Sequence, residues 1–120
     1  MTTGPQPDPK APVAGALVWV DFHGAEGSEQ TGVRPAIVVS MTEFNQRNYR
    51  SLVCPITSNM APFPTKVFLP DDAPVRGAIL CDQVRSLDRT GRGFRLIGQA
   101  TPDVLARVRA VISQLMTDIA

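Results

Sequence analysis

The side chains able to do chemistry in this chain sit where β-forming runs give way to turns: Glu29, Gln30, Arg34, Thr57, Ser58, Asp82, Gln83 and Arg85. None completes a familiar nucleophile set. The one imidazole, His23, stands at the mouth of a glycine-rich stretch, and no Ser-His-Asp arrangement, P-loop or dinucleotide fingerprint accompanies it. Cys54 and Cys81 are far apart and outside any C-x-x-C pair, which argues against a Cys/His zinc site and for two core thiols in a reducing compartment. What remains is arginine. Apart from Lys10 and Lys66, every basic residue is Arg. A guanidinium fork suits phosphates and carboxylates, although GC-rich coding produces the same skew.

These residues are carried by a chain of 120 residues, 43% hydrophobic and 19% charged, which suits one globular domain. Its formal net charge of +1 excludes a polybasic coat for nucleic acid. The sum conceals a pattern: residues 1–32 carry one Lys and four acids, 33–66 four basic groups and one acid, 67–88 two Arg and four Asp, and 89–120 five Arg and two Asp. The basic blocks are either a solvated face or a groove that tracks a phosphodiester backbone, with Arg89, Arg92 and Arg95 as one such cluster.

Residues 1–13, with Pro5, Pro7, Pro9 and Pro12, read as a disordered proline-rich leader ahead of a single domain over 14–120. The leader has no basic-then-apolar signal pattern, and the run Val13 to Val20 is too short to span a bilayer, so a soluble cytoplasmic protein is expected. Strands are expected over 16–22, 34–40, 51–57, 66–69, 77–87 and 94–100, with a mobile loop over 23–32. Pro35 should lie at a strand start or edge. Thr42 should cap a short helix to Asn48. A second helix starts with Thr101 as cap and Pro102 in its first turn, and its stripe runs from Val104 through Val108 and Ile112 to Ile119. That stripe faces the sheet, and in part a partner chain. Strands at this spacing predict a mainly β fold with a C-terminal helix, a small antiparallel barrel.

Three stretches, in order, resemble one family. Gly27-Ser-Glu-Gln-Thr-Gly-Val-Arg-Pro-Ala-Ile-Val-Val-Ser40, with Val18-Trp-Val-Asp-Phe22 before it and Val53-Cys-Pro-Ile-Thr57 and Asp82-Gln-Val-Arg-Ser86 after it, is similar to the signature of the MazF/PemK toxin endoribonucleases. The resemblance covers all but the first dozen residues. It implies an SH3-like barrel of the MazF/PemK/CcdB type, usually a homodimer, that cuts single-stranded RNA at short sequences without a metal ion or other cofactor. The 2′-OH attacks the adjacent phosphorus, leaving a 2′,3′-cyclic phosphate or 3′-phosphate and a 5′-OH end.

The family's catalytic pair falls on Arg34 and Thr57. Thr57 donates a hydrogen bond to the scissile phosphate and Arg34 grips it. A guanidinium surrenders its proton only far above neutral pH, so charge stabilisation or proton donation is the easier role for Arg34, and the base is water or a neighbour. RNA contacts are expected from Phe22, as a base-stacking ring or else a core residue, and from Glu29, Gln30, Ser58, Gln83 and Arg85. The resemblance also implies a cognate MazE-like antitoxin whose acidic tail occupies the groove, and no membrane. A CcdB-like gyrase poison on the same fold is the alternative. Such relatives act through an aromatic near the chain end, and Ser113 to Ala120 has none.

Overall fold

The computed structural model describes residues 7–22, 32–91 and 94–117. The order is β1 (Ala16–Asp21), β2 (Val33–Val38), α1 (Thr42–Arg47), β3 (Arg50–Thr57), β4 (Lys66–Phe68), β5 (Ala78–Leu80), a 3-10 turn (Cys81–Gln83), β6 (Arg85–Asp88), β7 (Arg95–Gln99) and α2 (Pro102–Leu115). The strands form one seven-stranded sheet in the order β4-β5-β3-β2-β1-β7, with β6 beside β3, and every pairing is antiparallel. The mainly β fold with a C-terminal helix is as expected. The barrel-like sheet is an open one, its path running from β4 to β7 without returning on itself.

Side chains alternate across the strands and so serve two cores. Leu17, Ile37, Cys54, Ile56, Ile79 and Cys81 face α2, where Val104 and Val108 meet them. Val18, Val20, Phe22, Ala36, Val38, Val53 and Leu87 line the opposite, inner face, with Phe94 against them. Each fully buried aliphatic side chain contributes roughly 1.5–3 kcal/mol. Thr101 caps α2 as its sequence predicts, its hydroxyl accepting from the Val104 N–H at 3.4 Å.

Two local expectations change. The run from Gly77 to Leu87 is not one strand: β5 pairs with the end of β3, β6 pairs with its beginning, and the 3-10 turn intervenes. The interruption falls opposite Cys54 and Pro55, and Pro55 has no N–H to give a ladder. Pro35 also avoids that cost. The β2–β3 ladder runs from Ala36↔Pro55 to Val38↔Val53, so Pro35 lies one residue outside it. Thr42 is not a helix cap either. Met41 holds that position, and the Thr42 hydroxyl accepts from the Ala14 N–H at 2.9 Å.

That bond belongs to a set that holds residues 8–14 along α1. The Asp8 N–H donates to Gln46 O, Asn45 Nδ2 donates to Pro12 O, and Ala11 is buried. Asn45, wholly buried, also accepts from the Ser40 hydroxyl. Among the described residues no helix is long and apolar enough to cross a membrane.

Candidate active site

The site residues meet where the β1–β2 hairpin, the end of β3 and the start of β6 converge. In the hairpin Val20 faces Arg34 and Asp21 faces Val33, and Phe22 N–H donates to Gly32 O at 2.9 Å. Gly32 has φ +81, a conformation that favours glycine, where the chain re-enters β2. The β2–β3 ladder pairs Ala36↔Pro55, Ile37↔Cys54 and Val38↔Val53 and ends there; Arg34 stands two residues beyond it on β2 and Thr57 two residues beyond it on β3, at the same end of the two strands. By alternation both fall on the inner face, with Val20, Ala36 and Val53.

Thr57 is 7% exposed, and its Oγ1 accepts from the Asn59 N–H at 3.1 Å. A hydroxyl has one donor and two acceptor positions, so its proton remains for a substrate oxygen. On its other side Thr57 pairs with Ala78, and Gly77 packs so closely that a Cβ there would lie 2.6 Å from Thr57 O. With φ +148 as well, Gly77 is a residue the sequence reading missed. Its signal was only a glycine at a strand start.

Arg85 pairs with Val53 and reaches over Phe22, its Cζ 6.0 Å from the ring centroid. Arg34 and Thr57 thus share one end of β2 and β3, and Arg85 meets Phe22 on the same face of the sheet. Ser58 is exposed beside Thr57, and Gln83 is half-buried in the 3-10 turn. His23, Glu29 and Gln30 lie outside the described residues.

Two expectations are corrected. Phe22 is fully buried in the inner core with Arg85 above its ring, so it presents no surface on which a base can stack. The Arg89 guanidinium is spent within the fold: Nη1 donates to Arg50 O and Ser51 Oγ at 2.9 and 2.8 Å, and Nη2 donates to Asn45 O and Asn48 O at 2.9 and 2.8 Å. Its burial shifts its pKa down, the desolvation cost of that internal role. Arg109 is similarly engaged, with Nε and Nη2 on Val39 O at 3.0 and 2.9 Å. Arg95 is exposed on β7, and Arg92 lies outside the described residues.

Neither cysteine is poised as a nucleophile. Burial pushes both thiols up, Cys81 to about 11 and Cys54 further, which suppresses the reactive thiolate. Among the described residues no three His, Cys, Asp or Glu side chains are placed to hold a metal ion. A cavity of about 560 Å³ lies apart from the site, between residues 8–13, β1 and β7, with Val18, Phe94 and Leu96 in its wall.

Arg34, the Thr57 hydroxyl and Arg85 lie on one face of the sheet, and two cations with a hydroxyl donor are the kinds of group that stabilise a phosphodiester passing to a more highly charged state. A family model described as a PemK-like, MazF-like toxin of type II toxin–antitoxin systems matches residues 14–116. The chain is 36% identical over 105 residues to the endoribonuclease toxin MazF of Escherichia coli (strain K12), covering 88% of this chain and 94% of that one. Among solved structures it is similar to MazF of Deinococcus radiodurans, with a TM-score of 0.83, 40% identity and coverage of 88% and 96%. A MazE–MazF complex from the same organism matches with a TM-score of 0.78, 37% identity and coverage of 91% and 98%.

Proposed function

This chain belongs to the PemK-like, MazF-like toxin family of type II toxin–antitoxin systems, and from that premise we propose how it acts as an endoribonuclease. The substrate is single-stranded RNA, cut at a short preferred sequence in the cytoplasm. The observation that supports this reading is that Arg34 and Thr57 stand at the same end of β2 and β3, two residues beyond the last pair of their ladder, and by strand alternation on the face that also holds Arg85. The ribose 2′-oxygen bonds to phosphorus as the bond from phosphorus to the 5′-oxygen breaks. The products are a 2′,3′-cyclic phosphate and a 5′-OH end. Arg34 holds the phosphoryl oxygens and Thr57 donates to one of them, both interactions strengthening as charge accumulates. Arg85, Gln83 and Ser58 line the path of the flanking nucleotides. None of these steps needs a metal ion.

The family's partners fit the surface. An acidic antitoxin tail competes with RNA for the same cationic face. Homodimerisation would cover an apolar groove between α1 and α2, where Val39, Met41, Phe44, Leu52 and Ile112 lie and Met41 is 61% exposed. The gyrase-poison alternative is not favoured, because the relatives it matches at 36% and 37% identity carry the name endoribonuclease toxin.

The deciding experiment incubates purified protein with a long single-stranded RNA in excess EDTA and maps 5′-OH ends. Discrete cuts by wild type and none by Arg34→Ala are expected. Equal cleavage by Arg34→Ala would sink the assignment, and a requirement for added metal would overturn the mechanism.

A further inference from the structure

The turn that follows Thr57 is shaped by polar bonds. Residues 58–64 are all exposed, Met60 and Phe63 included, so burial does little to hold them in one conformation. The Asn59 N–H donates to Thr57 Oγ1 at 3.1 Å, and the Ala61 N–H donates to Asn59 Oδ1 at 3.0 Å. Both bonds join residues two apart and are local to the turn. A bond from outside it closes the set. Lys66, half-buried at the start of β4, sends Nζ back to Asn59 O at 2.9 Å and to Ala61 O at 2.8 Å. Asn59 is thereby held through both of its peptide groups, its N–H on Thr57 and its C=O on Lys66.

The anchor is itself fixed. Lys66 pairs with Leu80 on β5, and its own N–H donates to Phe63 O at 3.0 Å. β5 pairs in turn with the end of β3, at Ile56↔Ile79 and Thr57↔Ala78. The backbones of Thr57 and Lys66 therefore belong to one run of paired strands, and an ammonium fastens the exposed turn between them. A lysine ammonium has three donors and no acceptor, and a charged donor makes a stronger bond than a neutral one.

We propose that Lys66 is a positioning residue for the Thr57 hydroxyl, acting through Asn59. The inference rests on the donor role given to Thr57 above. A hydroxyl turns about its C–O bond, and its proton points away from a donor seated on one of its lone pairs. The Asn59 N–H takes that seat, so the Thr57 proton is directed away from the turn and kept for a phosphoryl oxygen. Without the hold on Asn59 O, the turn loosens, the N–H leaves Oγ1 for part of the time, and the proton is spent on water. A donor that must be realigned in each turnover loses the advantage of a fixed one. Lys66 touches no reacting atom in this scheme, since two of its three donors are taken by carbonyls.

The test compares wild type, Lys66→Met, Thr57→Val and the double variant in single-turnover cleavage of a labelled single-stranded RNA. Met keeps the aliphatic stem and leaves the backbone pairing of β4 in place. NMR of the full-length protein follows hydrogen exchange at the Asn59 amide. Lys66→Met should exchange that amide faster and lower the maximal cleavage rate about fivefold to tenfold, with the half-saturating RNA concentration within about twofold of wild type. In the Thr57→Val background the same substitution should change the rate by less than about twofold, because no hydroxyl remains to be positioned. An unchanged Asn59 amide or an equal loss in both backgrounds would overturn the proposal. So would weaker half-saturation with a shallower salt dependence and an intact maximal rate, which would make Lys66 a phosphate contact. Thr57→Val cleaving like wild type would overturn the premise, and a faster Asn59 amide in Lys66→Met would then place the failure in Thr57 and not in the hold of Lys66 on the turn.

Discussion

Arg89 offers the sharpest test of the difference between a charge seen in sequence and a charge available to a ligand. Replacing it by Met keeps much of the aliphatic stem and removes four hydrogen bonds, to Arg50 O, Ser51 Oγ, Asn45 O and Asn48 O. The bonds to Ser51 and Asn45 are part-buried and those to Arg50 and Asn48 are exposed. A hydrogen bond to a charged group contributes about 1.5–3 kcal/mol net when sheltered. Taking the low end for the two part-buried bonds, because the guanidinium is itself partly desolvated, and nothing for the exposed two, gives about 3 kcal/mol. For a domain of this size that lowers the melting temperature by roughly 10–15 °C. Circular dichroism melts measure it, beside Arg95→Met, whose exposed parent residue should leave stability almost untouched. Binding of a 2′-deoxy-substituted, uncleavable oligonucleotide at low temperature, where both variants are folded, completes the comparison. Arg89→Met melting within about 2 °C of wild type, or losing oligonucleotide affinity more severely than Arg95→Met while folded, would refute the internal role.

Thr57→Val keeps the shape of the side chain and removes the hydroxyl, so cleavage of a fluorogenic RNA should fall about 10²–10³-fold while Thr57→Ser retains most activity, and equal rates for Val and Thr would exclude the donor role. Gly77→Ala puts a Cβ against Thr57 O at a φ of +148, so it should cost roughly 2 kcal/mol or more and reduce cleavage even where the protein remains folded; unchanged melting and turnover would count against the close approach. The raised thiols give a pH dependence whose sign is fixed: folding favours the protonated form, so their contribution is complete below the ordinary value of 9.0 and is lost as pH rises through the Cys81 value of about 11. Urea unfolding from pH 8 to 11 should therefore fall less steeply for Cys54→Ala/Cys81→Ala than for wild type, and parallel curves would contradict it.

Much of this was legible in the sequence because the signals were local. Alternation announced the strands, and Thr101-Pro102 announced the start of α2. The spacing of Arg34 and Thr57 carried no such signal. Their placement at the same end of two neighbouring strands depends on the β2–β3 register, which a motif only implies. Long-range polar bonds were the least visible. Nothing in Asn45 marks it as a buried hub that accepts from Ser40 and donates to Pro12 O, so composition alone made residues 1–13 read as leader. The break at Cys81–Gln83 hid for a related reason, since β5 and β6 each pair with a different part of β3, a strand distant in sequence.

The arginines show why net charge is a poor guide to a nucleic-acid site. The chain is almost neutral, yet its cations are unequal in what they can still bind. Arg89 and Arg109 are held by backbone carbonyls, Lys66 Nζ by Asn59 O and Ala61 O, and Arg47 and Arg107 stand 3.5 and 3.6 Å from Glu43 and Asp103 on their own helices. The last two pairs are exposed and contribute little to stability, and they lie on α1 and α2, away from the site. In the proposed reaction the cations that meet the substrate are Arg34 and Arg85, both half-buried on the inner face, where partial exclusion of water strengthens the effect of a charge. A phosphodiester needs two or three well-placed donors and not an excess of charge. A chain that uses its other arginines to fasten loops and strand ends therefore has a near-neutral sum and a cationic site together.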